Sequence, residues 1–233
     1  MTEHLEELRQ RLIVSSIAFI LGLIASAIPL PPSWSKNLTW IVIDLVVDVI
    51  GQEHIQALSP GEVFFTYFQV AMLIALALAM PVILYEIMAF VLPALYPHER
   101  KYLYMAIPGV SFSFVCGISF GYFLVVPAAL GFLINFGGDT IAQRWGLQST
   151  VDTITTLLFW MGLSFEMPLV IFFLCKLRVL NVQRLRSLRK YFLVLAFIVG
   201  AIITPTPDPF NQTLVSVPLY MLFEIGLLLA RLA

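Results

Sequence analysis

Charge is what this chain has least of. Only 12% of its 233 residues are Asp, Glu, Lys or Arg and 60% are hydrophobic, whereas soluble domains carry roughly 25% charged residues. That deficit excludes an ordinary soluble domain and leaves a polytopic membrane protein. A net charge of −1 gives no general attraction to nucleic acid, so no nucleic-acid partner is expected and any electrostatic specificity lies in where the charges sit. Cysteine is nearly absent too. Cys116 and Cys175 both fall inside apolar stretches, which suits two small packing residues better than a disulfide. Of three histidines, His4, His54 and His98, none lies in a long apolar run. With no HExxH site, phosphate-binding loop, nucleophile elbow or Cys/His cluster at ligand spacing, and no pair of intramembrane aspartates, no catalytic residue, metal or cofactor is expected, and the chain does not read as an enzyme.

What is present is long, charge-free sequence. A bilayer core of roughly 30 Å needs about 20 apolar helical residues, and six runs qualify or nearly so, at about 12–30, 63–92, 102–133, 153–175, 191–204 and 211–230. The expected fold is all-α: a single membrane domain over residues 1–233 with six transmembrane helices, both termini cytoplasmic, and a structured outer cap. Pro81, Pro108 and Pro127 predict tilted or kinked second and third spans. The fifth run is too short to cross unaided, about 21 Å at 1.5 Å per residue, and is expected to thin the bilayer. The acidic amino terminus, "MTEHLEELRQR", followed by a run that no small-residue cleavage site closes, is expected to stay as an anchor rather than act as a signal peptide.

Residues 38–51, "LTWIVIDLVVDVIG", are apolar but hold Asp44 and Asp48. Charge distribution decides their role. With six spans, eleven of the thirteen Lys and Arg residues lie on the side of the N-terminus, leaving Lys36 and Arg144 opposite, as the positive-inside rule requires. A seventh span at 38–51 would invert every later basic cluster. The stretch is therefore predicted to be an amphipathic helix on the outer face, with Trp34, Trp40 and Trp145 at the headgroup interface.

Isolated acids stand out against this background. Glu86, Glu166 and Glu224 each fall inside an apolar run, and an ionisable group there costs at least about 2.5 kcal/mol on insertion scales, so it faces a partner or a watery cavity. Glu86 is near an inner loop, and Glu224, seven residues from Arg231, suits snorkelling or a local pair as well as function. Glu166, in "GLSFEMPLV", is the deepest, ten residues from Lys176 and fourteen from Asp152. It reads as a packing acid or as a functional polar centre. Glu7 and Glu99 sit among basic neighbours in "HLEELRQR" and "FVLPALYPHERKY". Each could be a screened surface ion pair or a carboxylate that takes a guanidinium in fork geometry.

At these residues the chain resembles the TatC family, the polytopic subunit of the twin-arginine protein translocase. Four segments in order carry the resemblance: "HLEELRQRL" at 4–12, "PVILYEIMAFVLPALYPHERKY" at 81–102, "GLSFEMPLV" at 162–170 and "TPTPDPFNQTLVSVPLYMLFEIG" at 204–226. The resemblance implies a receptor and core subunit in the bacterial cytoplasmic (inner) membrane. It would bind twin-arginine signal peptides of folded precursors at the cytoplasmic face and assemble, among membrane lipid, with single-span subunits of the TatA and TatB type, using the proton-motive force. It implies signal-peptide binding by Glu7 and Glu99 with Arg9, Phe90 and Leu95 on the same patch, and a polar intramembrane centre at Glu166. Pro60 and Asp208 match further family positions, as contacts or as loop architecture. The alternative from another class is a proton-coupled secondary transporter using Glu166, against which stands the lack of an internal repeat.

Overall fold

The computed structural model describes residues 2–29, 36–51, 54–91, 100–136, 144–176, 179–204 and 208–231. Leu95, Glu99, Trp34 and His98 lie outside these residues. Helices follow the apolar runs: α1 Thr2–Ala27, α2 Leu38–Ile50, α3 Glu62–Val91, α4 Arg100–Phe120, α5 Val126–Phe136, α6 Leu147–Phe165, α7 Met167–Lys176, α8 Val182–Ser187, α9 Arg189–Ile203 and α10 Pro209–Ala230. Two short strands, β1 Ile55–Gln56 and β2 Trp145–Gly146, pair in parallel, Ile55 opposite Trp145 and Gln56 opposite Gly146.

Among the described residues, five stretches are long and apolar enough to cross a membrane, Leu5–Ala27, Glu62–Ile87, Gly109–Phe136, Leu147–Lys176 and Pro209–Ala230. The expected fifth span is α9. At 15 residues it rises only about 22 Å, short of the roughly 30 Å apolar core. Large apolar residues lie outside as well as inside, unlike in a soluble protein. Small residues such as Ala71, Ala75, Ala79 and Ala196 are buried, whereas Ile17, Ile24, Phe64, Phe68, Phe112, Phe123 and Ile202 are exposed. Continuous apolar faces of that size would drive aggregation in water. In lipid they are the solvated surface, and small residues let helix backbones approach.

The chain divides into two compact units, Met1–Ser111 with Arg144–Thr155, and Phe112–Gln143 with Thr156–Ala233. In the first, α1 lies along α3 so closely that a Cβ on Gly22 would stand 2.8 Å from the Ala75 carbonyl oxygen. Asn37 caps α2 by accepting from Trp40 N–H, and its amide donates to Tyr67 Oη at 2.7 Å. The helix read as amphipathic at 38–51 thus exists, and Asp44 pairs with Lys36. The start of α3 is written in "SPGE": Ser59 precedes Pro60, and Glu62 reaches back to the Ser59 N–H at 3.3 Å. This is the reach-back half of a capping box in the turn that leads into α3, with Pro60 two residues before the helix, where its missing N–H leaves no helical bond unmade. Pro60 therefore has a structural account.

Glu62 does more. The same oxygen accepts from Leu58 N–H, and its other oxygen accepts from Gln148 N–H at 2.7 Å. One buried carboxylate therefore ties the turn before α3 to the start of α6, beside the strand pair.

In the second unit, α10 packs on α7 and α9, with Phe192 and Phe223 stacked at a centroid distance of 4.0 Å. Asp208 is the N-cap of α10: its Oδ1 accepts from Asn211 N–H at 2.8 Å and its Oδ2 from the Asn211 amide at 2.9 Å, with Pro209 following. That is a helix-start role. The kink expected near Pro127 takes a definite form. Residues Gly121–Val125 form a π-helical turn in which Val126 N–H reaches back five residues to the Gly121 carbonyl. Pro127 has no N–H to continue the ordinary ladder, and a one-residue bulge absorbs the loss.

Candidate functional site

The fourth apolar run is not one helix. α6 ends at Phe165 and α7 begins at Met167, with Glu166 at the break. Its cause is local: Pro168 cannot donate to the carbonyl four residues back, and its ring crowds that carbonyl. Glu166 N–H turns to Leu163 O at 3.1 Å, a tighter three-residue step, and the Ser113 hydroxyl donates to Phe165 O at 2.6 Å. A break in lipid is tolerated where a neighbouring helix bonds backbone carbonyls at the break, and here α4 does so at Phe165 through Ser113.

Glu166 is 2% exposed, and neither carboxyl oxygen has a hydrogen-bond partner among the described residues. The Phe114 backbone faces it outside hydrogen-bonding geometry. Buried acids without a partner are costly and are kept where they act.

The other two intramembrane acids are paired. Glu224 accepts from Arg189 Nη2 at 2.6 Å and from Tyr220 Oη at 3.1 Å. The partner anticipated from sequence proximity was Arg231; the observed one is 35 residues away, because α9 lies alongside α10 and presents its first residue to Glu224. This pair fastens the short helix to the long one.

Glu86 joins the amino-terminal motif. Arg11 donates through Nη2 and Nε to Glu7 Oε1 at 2.6 and 3.2 Å, and through Nη1 to Glu86 Oε2 at 3.0 Å. One guanidinium thus bridges α1 and α3. Side-chain exposures of 23% for Arg11, 29% for Glu7 and 14% for Glu86 place the cluster between surface and interior, where charge-assisted bonds are stronger than at a fully wetted surface. Arg9 is exposed on the same helix, and Phe90 lies one turn beyond Glu86 on α3, half-buried. The structure therefore gathers Glu7 and Arg11 with Glu86. Sequence reasoning passed over Arg11 and gave Glu86 a shallow bystander role; the signal available was an acid inside an apolar run with no cation nearby in sequence.

The described residues thus form a helical membrane protein with a guanidinium–carboxylate cluster at the amino-terminal motif and, at a helix break, a buried acid with no hydrogen-bond partner among them. Residues 3–218 match the family model described as Sec-independent protein translocase protein (TatC). The chain is 36% identical to the Sec-independent protein translocase protein TatC of Deinococcus radiodurans, covering 98% of this chain and 84% of the relative. It is 36% identical to that of Aquifex aeolicus, covering 100% and 95%, and 35% identical to that of Escherichia coli K12, covering 98% and 86%. A solved structure described as a crystal structure of the twin arginine translocase receptor TatC superposes with a TM-score of 0.83 at 35% identity, covering 98% of both chains. The chain belongs to the TatC family of protein translocase subunits.

Proposed function

We propose that this chain is the signal-peptide receptor and core subunit of a twin-arginine translocase, one six-span membrane domain with both termini in the cytoplasm of a bacterium. In this reading α9 is the fifth, short span, and the turns joined by β1 and β2 form the outer cap. Glu7 and Glu99 take the paired arginines of a signal peptide, with Arg9, Phe90 and Leu95 on the same patch. Glu166 provides the polar centre at which single-span partners of the TatA and TatB type assemble, and the proton-motive force drives export of the folded cargo. No catalytic group takes part.

The observation that carries the reading is that Glu7 already holds a guanidinium, that of Arg11, through two N–H groups. The site's geometry suits arginine. Lysine retains the charge but loses the planar fork, so an arginine pair is distinguished from a lysine pair by shape rather than by charge. The test is binding of a synthetic twin-arginine signal peptide to the purified chain, against the same peptide with both arginines replaced by lysine. Tighter binding of the arginine peptide, lost in Glu7→Gln and Glu99→Gln, is expected; equal affinity refutes guanidinium recognition. The break at Glu166 also suits a transporter, but counterflow of protons with a small solute in sealed vesicles is expected to be absent.

A further inference from the structure

The guanidinium on Glu7 belongs to the protein itself, and that has a consequence for how a peptide arginine enters. An incoming arginine that grips Glu7 in fork geometry, across both carboxylate oxygens, must displace Arg11 from Oε1, breaking contacts of 2.6 and 3.2 Å. Left alone in a partly buried site, a displaced guanidinium would oppose the exchange strongly. It is not left alone. Nη1 already rests on Glu86 Oε2 at 3.0 Å, on a different helix and 75 residues away, so Arg11 has a second carboxylate to retire to.

We propose that Arg11 is a built-in competitor for the signal-peptide arginine, and that Glu86 is the positioning residue which holds Arg11 when the peptide takes Glu7. This rests on Glu7 being the acceptor proposed above. The device sharpens specificity. Exchange of one guanidinium for another is nearly balanced, fork for fork, whereas an ammonium offers a point charge in place of a planar set of donors and fails to repay the displacement. Glu86 sets the height of the threshold. With it, Arg11 can move aside while staying paired; without it, Arg11 has Glu7 as its carboxylate and yields less readily.

The charges of the cluster make the idea separable from simple electrostatics. Replacing Glu86 by Gln removes an anion and replacing Arg11 by Gln removes a cation, so the double variant leaves the cluster's net charge unchanged. A field effect predicts that its peptide affinity stays where it was. A competitor predicts that it tightens, because no Arg11 guanidinium then holds Glu7 Oε1.

The experiment is equilibrium binding of the twin-arginine peptide and its twin-lysine counterpart to the full chain in lipid nanodiscs, at one fixed salt concentration, for wild type, Glu86→Gln, the Arg11→Gln/Glu86→Gln double variant and Arg11→Lys. Glu86→Gln should weaken arginine-peptide binding several-fold. The double variant should bind the arginine peptide about tenfold more tightly than wild type, the size expected for removing a charge-assisted competitor, and should discriminate less against lysine. Arg11→Lys changes no charge and breaks the fork that spans two carboxylates, so it should tighten binding a few-fold and serves where the double variant is poorly folded. If wild type prefers arginine and Glu7→Gln abolishes that preference, yet neither the double variant nor Arg11→Lys binds more tightly, the competitor role is overturned while the receptor reading stands. If wild type shows no preference for arginine, the receptor reading itself has failed.

Discussion

Gly117 and Gly162 meet face to face between α4 and α6: a Cβ added to Gly117 would lie 2.8 Å from the Gly162 Cα and 2.7 Å from the Met161 carbonyl oxygen. These are backbone atoms, which cannot rotate away. In lipid, with little hydrophobic drive between helices, such close approach lets dispersion contacts accumulate. It also brings α4 near enough for Ser113 to reach the Phe165 carbonyl at the break beside Glu166.

Gly117→Ala should accordingly destabilise the protein by at least about 2 kcal/mol through overpacking. Gly131, on α5, has nothing within 4 Å of an added Cβ, and Gly131→Ala should be neutral or stabilising by up to about 1 kcal/mol through helix propensity. Thermal unfolding of both variants in the same detergent compares them; equal melting temperatures would mean that the α4–α6 contact is looser than described.

Glu166 should trade stability against function. Replacing this unpartnered acid with Leu removes a burial cost of about 2.5 kcal/mol or more on insertion scales, so Glu166→Leu should melt at a higher temperature than wild type. Peptide binding to that variant should be intact and export of a twin-arginine reporter impaired. Normal export would leave Glu166 with a packing role alone.

Glu62 carries the opposite expectation. Glu62→Gln turns an amide N–H toward backbone donors on one side, and hydrogen bonds to charged groups contribute about 1.5–3 kcal/mol each. The variant should melt at a lower temperature than wild type and become protease-sensitive near the strand pair Ile55–Gln56 and Trp145–Gly146. Unchanged melting and cleavage patterns would show that the cap does not depend on this carboxylate.

For Arg189 and Glu224, whose side chains are 42% and 28% exposed, solvent screening limits the pair to about 1 kcal/mol or less. Glu224→Gln and Arg189→Gln should each loosen α9, and a double-mutant cycle should return a coupling energy of that size. Additive effects would argue that the stacked Phe192 and Phe223 rings, rather than the ion pair, hold the two helices together.

The helices, their approximate limits, the short α9 and the helix at 38–51 were legible in the sequence, because hydropathy and length are properties of contiguous residues. Even the break at Glu166 had a local signal in Pro168, two residues on, which a count of apolar residues overlooked. The pairings were not legible. Glu86 meets Arg11 and Glu224 meets Arg189 across 75 and 35 residues, because glycines and alanines set which helices touch and in what register. Glu62 joins two turns for the same reason. Sequence alone thus determined that this chain fills a bilayer and where its rare charges fall, since transfer into lipid acts on each segment separately. That Glu62 is satisfied and Glu166 is not, among the buried acids of the described residues, was decided by tertiary structure, since a carboxylate in an apolar medium is defined by the groups that packing brings within hydrogen-bonding distance.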